Sequence, residues 1–134
     1  MPEMTSIEAA GFWSGLLILL LVFLSVRVVM GRRRHRVLLG DGGVGEMNVT
    51  MRAFGNAAEY IPAGVAALIL LALVEVDVLW IHVAGLALLA GRLIHPSGLK
   101  LTGGVPPARV VGMALTWLVL IGAGLALIIR PLVG

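Results

Sequence analysis

The chain alternates long apolar runs with short polar breaks, and most of its charge sits in the breaks or at the run ends. Four runs stand out. The first covers about residues 7–29, "IEAAGFWSGLLILLLVFLSVRVV". The second covers about 51–74, the third about 79–95 and the fourth about 107–129. A helix of ~20 residues rising 1.5 Å per residue matches a hydrocarbon core of about 30 Å, so the pattern predicts four transmembrane helices. The third run is short for this purpose and must stand nearly upright or be shielded by its neighbours.

Composition moves the same way. The chain has 134 residues, of which 60% are hydrophobic and 13% charged, which reads as a single integral membrane domain over 1–134. A mean hydropathy of +1.07 leaves no room for a soluble catalytic domain beside the membrane part. There are no cysteines, so disulfides, thiolate nucleophiles and cysteine metal sites of the chain's own are excluded. The pI near 10.6 does not point to nucleic acid, because the basic residues cluster between apolar runs as topology signals do. The leading segment "MPEMTSIEAA" is acidic and the apolar run behind it is long, which predicts a retained helix rather than a cleaved signal peptide.

Lysine and arginine set the expected orientation. Arg32, Arg33, Arg34 and Arg36 lie in the first break. Lys100 lies in the third, with Arg92 and Arg109 at its edges. The second break, "EVDV", is acidic, and Glu3 and Glu8 sit at the amino end. The positive-inside rule then places breaks one and three in the cytoplasm and both termini outside.

Several motifs look like signals and are read as structural. "GDGGVG" at 40–45 fits a dinucleotide fingerprint, but a basic run precedes it and a membrane helix follows, so a glycine turn is the better reading. The sequon at Asn48 falls on the expected cytoplasmic side. "GRRRHR" reads as an anchor on anionic headgroups. His35, His82 and His95 lack metal-ligand spacing, and His82 beside Trp80 reads as interfacial. Gly11, Gly15 and the small residues of "AGLALLAG" predict close packing between helices or subunits.

The second run carries the chemistry. Arg52, Asn56 and Glu59 are spaced four and then three apart, which puts them on one helix face. Glu59 lies roughly 10 Å deeper than Arg52 by helix rise. A carboxylate at that depth costs about 2.5–3.5 kcal/mol, so it faces a partner, a cavity or water. Pro62 removes a backbone donor and frees the carbonyl of Ala58. Arg27, Arg92, His95 and Arg109 fall at the same expected depth on the other helices. Together these groups suit a small anionic ligand that bears carboxylates and an amine.

"RAFGNAAEYIP", with "RVLLGDGG", "AGRLIH" and "PPARVVGM" around it, resembles the MAPEG proteins, the membrane-associated proteins of eicosanoid and glutathione metabolism, and their small bacterial members in particular. The resemblance implies an all-α, four-transmembrane-helix bundle assembled as a homotrimer in the bacterial inner membrane, with glutathione between subunits near the cytoplasmic side. It implies that Arg52, Asn56 and Glu59 contact glutathione, Glu59 through the amino group of the γ-glutamyl end. Arg27, Arg92 and His95 would complete the binding set. Arg109 would stabilise the thiolate that attacks a lipophilic electrophile. Another low-molecular-weight thiol could stand in for glutathione. Two positions depart from the family pattern: Gly55 replaces a second arginine of several eukaryotic members, and Met113 stands where some carry tyrosine. The expected function is a glutathione-dependent transferase or peroxidase. The alternatives are a small proton-coupled multidrug-type transporter, disfavoured because its acid belongs in the first span, and a non-catalytic trimeric scaffold.

Overall fold

A computed structural model describes residues 4–133 of the chain. It contains four α-helices, all long and apolar enough to cross a membrane: α1 (Ser6–His35), α2 (Gly45–Leu73), α3 (Val78–Ser97) and α4 (Pro107–Val133). Glu3, counted above among the amino-end acids, lies outside the described residues.

The helices extend past the apolar runs because local chemistry favours it. At the start of α1 the Thr5 hydroxyl accepts from the Glu8 N–H, while Thr5 N–H donates to the Glu8 carboxylate at 2.8 Å, a capping box. At its end α1 continues through Arg32, Arg33, Arg34 and His35, whose charge suits the negative end of the helix dipole. It stops at Arg36, which turns left-handed at φ 55°. Thirty residues give a rod of roughly 45 Å, so the basic turn projects beyond a 30 Å core.

The α1–α2 loop is built on Asp41, whose carboxylate accepts from the Gly43 N–H (2.9 Å) and the Asn48 side chain (3.1 Å). These two donors, the Gly43 N–H first, hold the Asp41 carboxyl below its ordinary value. Gly40, Gly42 and Gly43 all have positive φ, as the turn reading of "GDGGVG" requires. His35 meets an acid from the next helix: its Nε2 lies 3.1 Å from the Glu46 carboxylate. Asp77 caps α3 by accepting from the Leu79 N–H. The third helix spans 20 residues, Val78–Ser97, and so passes the expected run at both ends.

Packing is not a simple ring in chain order. Helix α1 lies against α2 and α3, α4 lies against α2 and α3, and α2 also touches α3. No contact joins α1 to α4 among the described residues, so the order round the bundle is α1, α2, α4, α3, with the α2–α3 contact running diagonally between them. The core runs along this centre through Leu17, Ile61, Leu68, Ile81 and Leu88. The outward faces stay apolar, with Leu19 and Phe23 on α1 and Leu118 and Ile121 on α4 all more than half exposed, as lipid-facing surface should be.

Two close approaches set the helix positions. Trp13 of α1 seats on Gly85 of α3, where any Cβ would collide with the indole. Its Nε1–H donates to His82 Nδ1 at 3.0 Å, so His82 is an interhelical partner and not merely interfacial. On the other side, a Cβ on Gly91 of α3 would lie 2.8 Å from the Gly112 carbonyl oxygen of α4. Gly11 and Gly15 meet nothing within the chain, so their expected close packing is not used inside the bundle. Helix α2 runs unbroken through Pro62.

Candidate functional site

The polar groups converge at the end of the bundle that carries the α1–α2 and α3–α4 loops. The centre is Arg92, one of the most buried large side chains in the protein at 2% exposed. Its Nη1 donates to Asn56 Oδ1 of α2 at 2.6 Å and its Nε to Thr116 Oγ1 of α4 at 3.0 Å. Its Nη2 reaches the Gly112 carbonyl at 3.2 Å and the Met113 sulfur at 3.4 Å. Thr116 in turn donates to the Gly112 carbonyl at 3.0 Å. The Tyr60 ring lies over the guanidinium, 5.2 Å from its carbon to the ring centroid. The Tyr60 hydroxyl accepts from Trp117 Nε1 at 3.3 Å. One arginine thus ties three helices together.

The charge balance of this cluster decides its chemistry. Every hydrogen-bond partner of Arg92 is neutral, and among the described residues no carboxylate lies within ion-pair distance of it. Burying an ion costs several kcal/mol unless charge compensates. Guanidinium offers five N–H donors and four are engaged, so one on Nη1 remains free.

The expected site residues divide into two groups. Asn56 and His95 are buried, at 5% and 3% exposed, and with Arg92 they form the inner layer. His95 packs on Gly112, where a Cβ would fall 2.8 Å from its Cα. Arg52 precedes Asn56 by one helical turn, and Arg109 packs on Gly98, whose N–H donates to the His95 carbonyl. Arg52 and Glu59 form the outer layer. They pair at 3.5 Å along the lateral face of α2, with both side chains more than half exposed. Arg109 is exposed at the start of α4, beside Gly98. Arg27 is also exposed, on α1. Arg32 reaches Met51 across the antiparallel α1–α2 pair, so Arg27 lies at roughly the level of Asn56 by helix rise, but outside the hydrogen-bonded cluster.

Reading the chain alone missed Thr116, Tyr60, Gly112 and Met113 as parts of this cluster. A signal was present. Arg109, Met113 and Thr116 repeat on α4 the four-then-three spacing of Arg52, Asn56 and Glu59 on α2.

With this geometry in place, comparison with known proteins adds two findings. The model of the MAPEG family matches residues 10–129, the whole membrane bundle apart from its ends. The chain belongs to the MAPEG family. It is also 37% identical over 103 residues to the inner membrane protein YecN of Escherichia coli K12, covering 77% of each chain, and equally similar to YecN of E. coli O6:H1 strain CFT073. No solved structure matches. The MAPEG match reaches into all four helices and spans every residue of the polar cluster.

Proposed function

We propose that this MAPEG protein is a thiol-dependent transferase or peroxidase of the bacterial inner membrane, which takes glutathione or another low-molecular-weight thiol and turns it on lipophilic electrophiles. The buried Arg92 guanidinium with no carboxylate partner carries the reading. Its neutral shell leaves a net positive site, with Arg52 and Arg109 beside it and Glu59 the one acid on that face of α2. A thiol peptide with two carboxylates and one ammonium fits this donor set. One carboxylate meets the exposed Arg52 fork, which favours bidentate binding, and the other takes the one free N–H of Arg92. The ammonium meets Glu59. The placement of the relative YecN in the inner membrane supports the same location here.

The bound thiol supplies a sulfur nucleophile. Arg109 lowers the thiol pKa by favouring the anion, since an ordinary thiol titrates near 8.5 and a neighbouring arginine stays charged when desolvated. Arg92 fixes the Asn56 amide, because the guanidinium holds Oδ1 and leaves the amide N–H groups to the ligand. Assembly as a homotrimer, with the site between subunits, explains the lateral Arg52–Glu59 pair. An ion pair left facing lipid is costly, and an adjacent subunit with its ligand would cover it. The pairing of Glu59 with Arg52 also disfavours the transporter reading, which needs an acid free to exchange protons.

Calorimetric titration of the detergent-solubilised protein with glutathione tests the proposal. Saturable binding is expected, and ultraviolet difference absorbance should report thiolate in the complex. Arg109→Ala should abolish the thiolate signal and leave the assembly intact. Absence of any thiol binding would return the protein to the scaffold reading.

A further inference from the structure

A second cavity lies in the opposite half of the bundle, away from the polar cluster. It encloses about 510 Å³ between α3 and α4, over a floor given by Leu71 of α2. Its shape follows from the packing. The α3–α4 pair is pinned to backbone contact at Gly91 and Gly112. Towards the other end the facing residues are Ala84, Ala87, Gly122 and Ala126, too small to fill the space between the two helices. The result is a wedge that opens sideways where lipid lies. Its walls are almost wholly apolar.

The mouth of the wedge differs from its walls. Trp80 stands there, 63% exposed, in the position that interfacial tryptophans take. One turn beyond Ala126 is Arg130, exposed, with Nη2 donating to the Glu75 carbonyl at 3.3 Å and no carboxylate partner among the described residues. It is the one cation at that end of the bundle among the described residues. The mouth joins an interfacial tryptophan to a lone cation, the complement of an amphiphile with an acidic head and an apolar chain. A single extended hydrocarbon chain fits the volume and the apolar walls.

We infer that the α3–α4 wedge is a binding site for one acyl chain of an anionic membrane phospholipid, whose headgroup is held at the mouth by Arg130. The chain lies along Val83, Ala87, Val119 and Gly122, and the acidic group meets the free side of the guanidinium. An acyl chain held here wedges α3 and α4 apart at one end while Gly91 and Gly112 hold them together at the other.

Photolabelling of the full chain in lipid nanodiscs tests this. Two probes carry a diazirine at the chain end, a phosphatidylglycerol and a free fatty acid. Peptide mass spectrometry is expected to find several-fold more adduct on the wedge residues than on equally lipid-facing Leu19 and Phe23 of α1. Gly122→Leu places a side chain in the wedge, and nothing lies within 4 Å of a Cβ there. It should lower wedge labelling to the α1 level with helix content unchanged. Arg130→Gln should lower labelling by either acidic probe and not by a neutral diacylglycerol probe. Enrichment with phosphatidylglycerol supports the inference, and enrichment with the fatty acid alone would overturn it. Equal labelling of the wedge and α1, or cross-links through the wedge to a second copy of the chain, would overturn the inference.

Discussion

Arg92 presents a choice between two physical roles. A buried guanidinium that served only to clasp α2, α3 and α4 would be an expensive clasp, because apolar residues of similar volume do that work at equal or better stability, by about 1–4 kcal/mol in known replacements. A guanidinium kept for a ligand tolerates that cost. The variant Arg92→Met separates the two. It removes the charge while retaining length and apolar volume, and takes a donor from Asn56 Oδ1 and Thr116 Oγ1, while the Gly112 carbonyl keeps the Thr116 hydroxyl. We expect its melting temperature to stay within a few degrees of the parent while thiol affinity in calorimetry drops at least tenfold. A large fall in stability with unchanged thiol binding would make Arg92 a structural clasp. Arg92→Lys should rescue little, because an ammonium is a point donor and cannot reproduce a planar fork to Asn56 and Thr116.

At the scale of the helices, the Gly91–Gly112 contact couples packing to the site. A Cβ on Gly91 would lie 2.8 Å from a backbone oxygen that cannot swing away, so α3 and α4 must part. Gly91→Ala should therefore cost roughly 1–3 kcal/mol, as overpacking does, read as a lower melting temperature in detergent. It should also weaken thiol binding, since Arg92 follows Gly91 and would be drawn from Thr116. Gly122→Ala on the same α4 meets open space and should change neither. The helices themselves could be read from the apolar runs, because lipid demands ~20 consecutive apolar residues. Their ends could not. The last turn of α1 lies beyond its apolar run and rests on the left-handed Arg36 cap and on basic residues that suit the helix dipole, and the first turn of α2, without a side-chain cap, has Glu46 at the positive end of its dipole. The Arg52–Asn56–Glu59 stripe was visible from spacing alone. That Asn56 turns inward while its two neighbours on the stripe face outward was not, since all three share one helix face and only the position of Arg92 separates them. The order α1, α2, α4, α3 was equally hidden, because helices apolar all round give no stripe to mark which neighbour each one meets.

For the whole molecule, the charge asymmetry between its two ends becomes a statement about which compartment feeds the site. The loop end carries Arg32, Arg33, Arg34 and Arg36 before Lys100 and Arg109, while the opposite end carries Glu8, Glu75 and Asp77 against the single Arg130. Arg130 weakens the contrast slightly and does not reverse it, because orientation follows the excess of lysine and arginine in short loops. The polar cluster lies at the loop end, so the positive-inside rule would open it to the cytoplasm, where reduced glutathione is held. A chain without cysteine makes the test clean, since any introduced thiol is the only one. Met4→Cys and Thr102→Cys lie in exposed segments at opposite ends. In intact spheroplasts a membrane-impermeant maleimide should label Met4→Cys at once and Thr102→Cys only after permeabilisation. The reverse pattern would place Arg92 and Arg109 towards the outer compartment. A cytoplasmic thiol would then have no aqueous route to them, and the cluster would have to draw its anionic ligand from outside the cell.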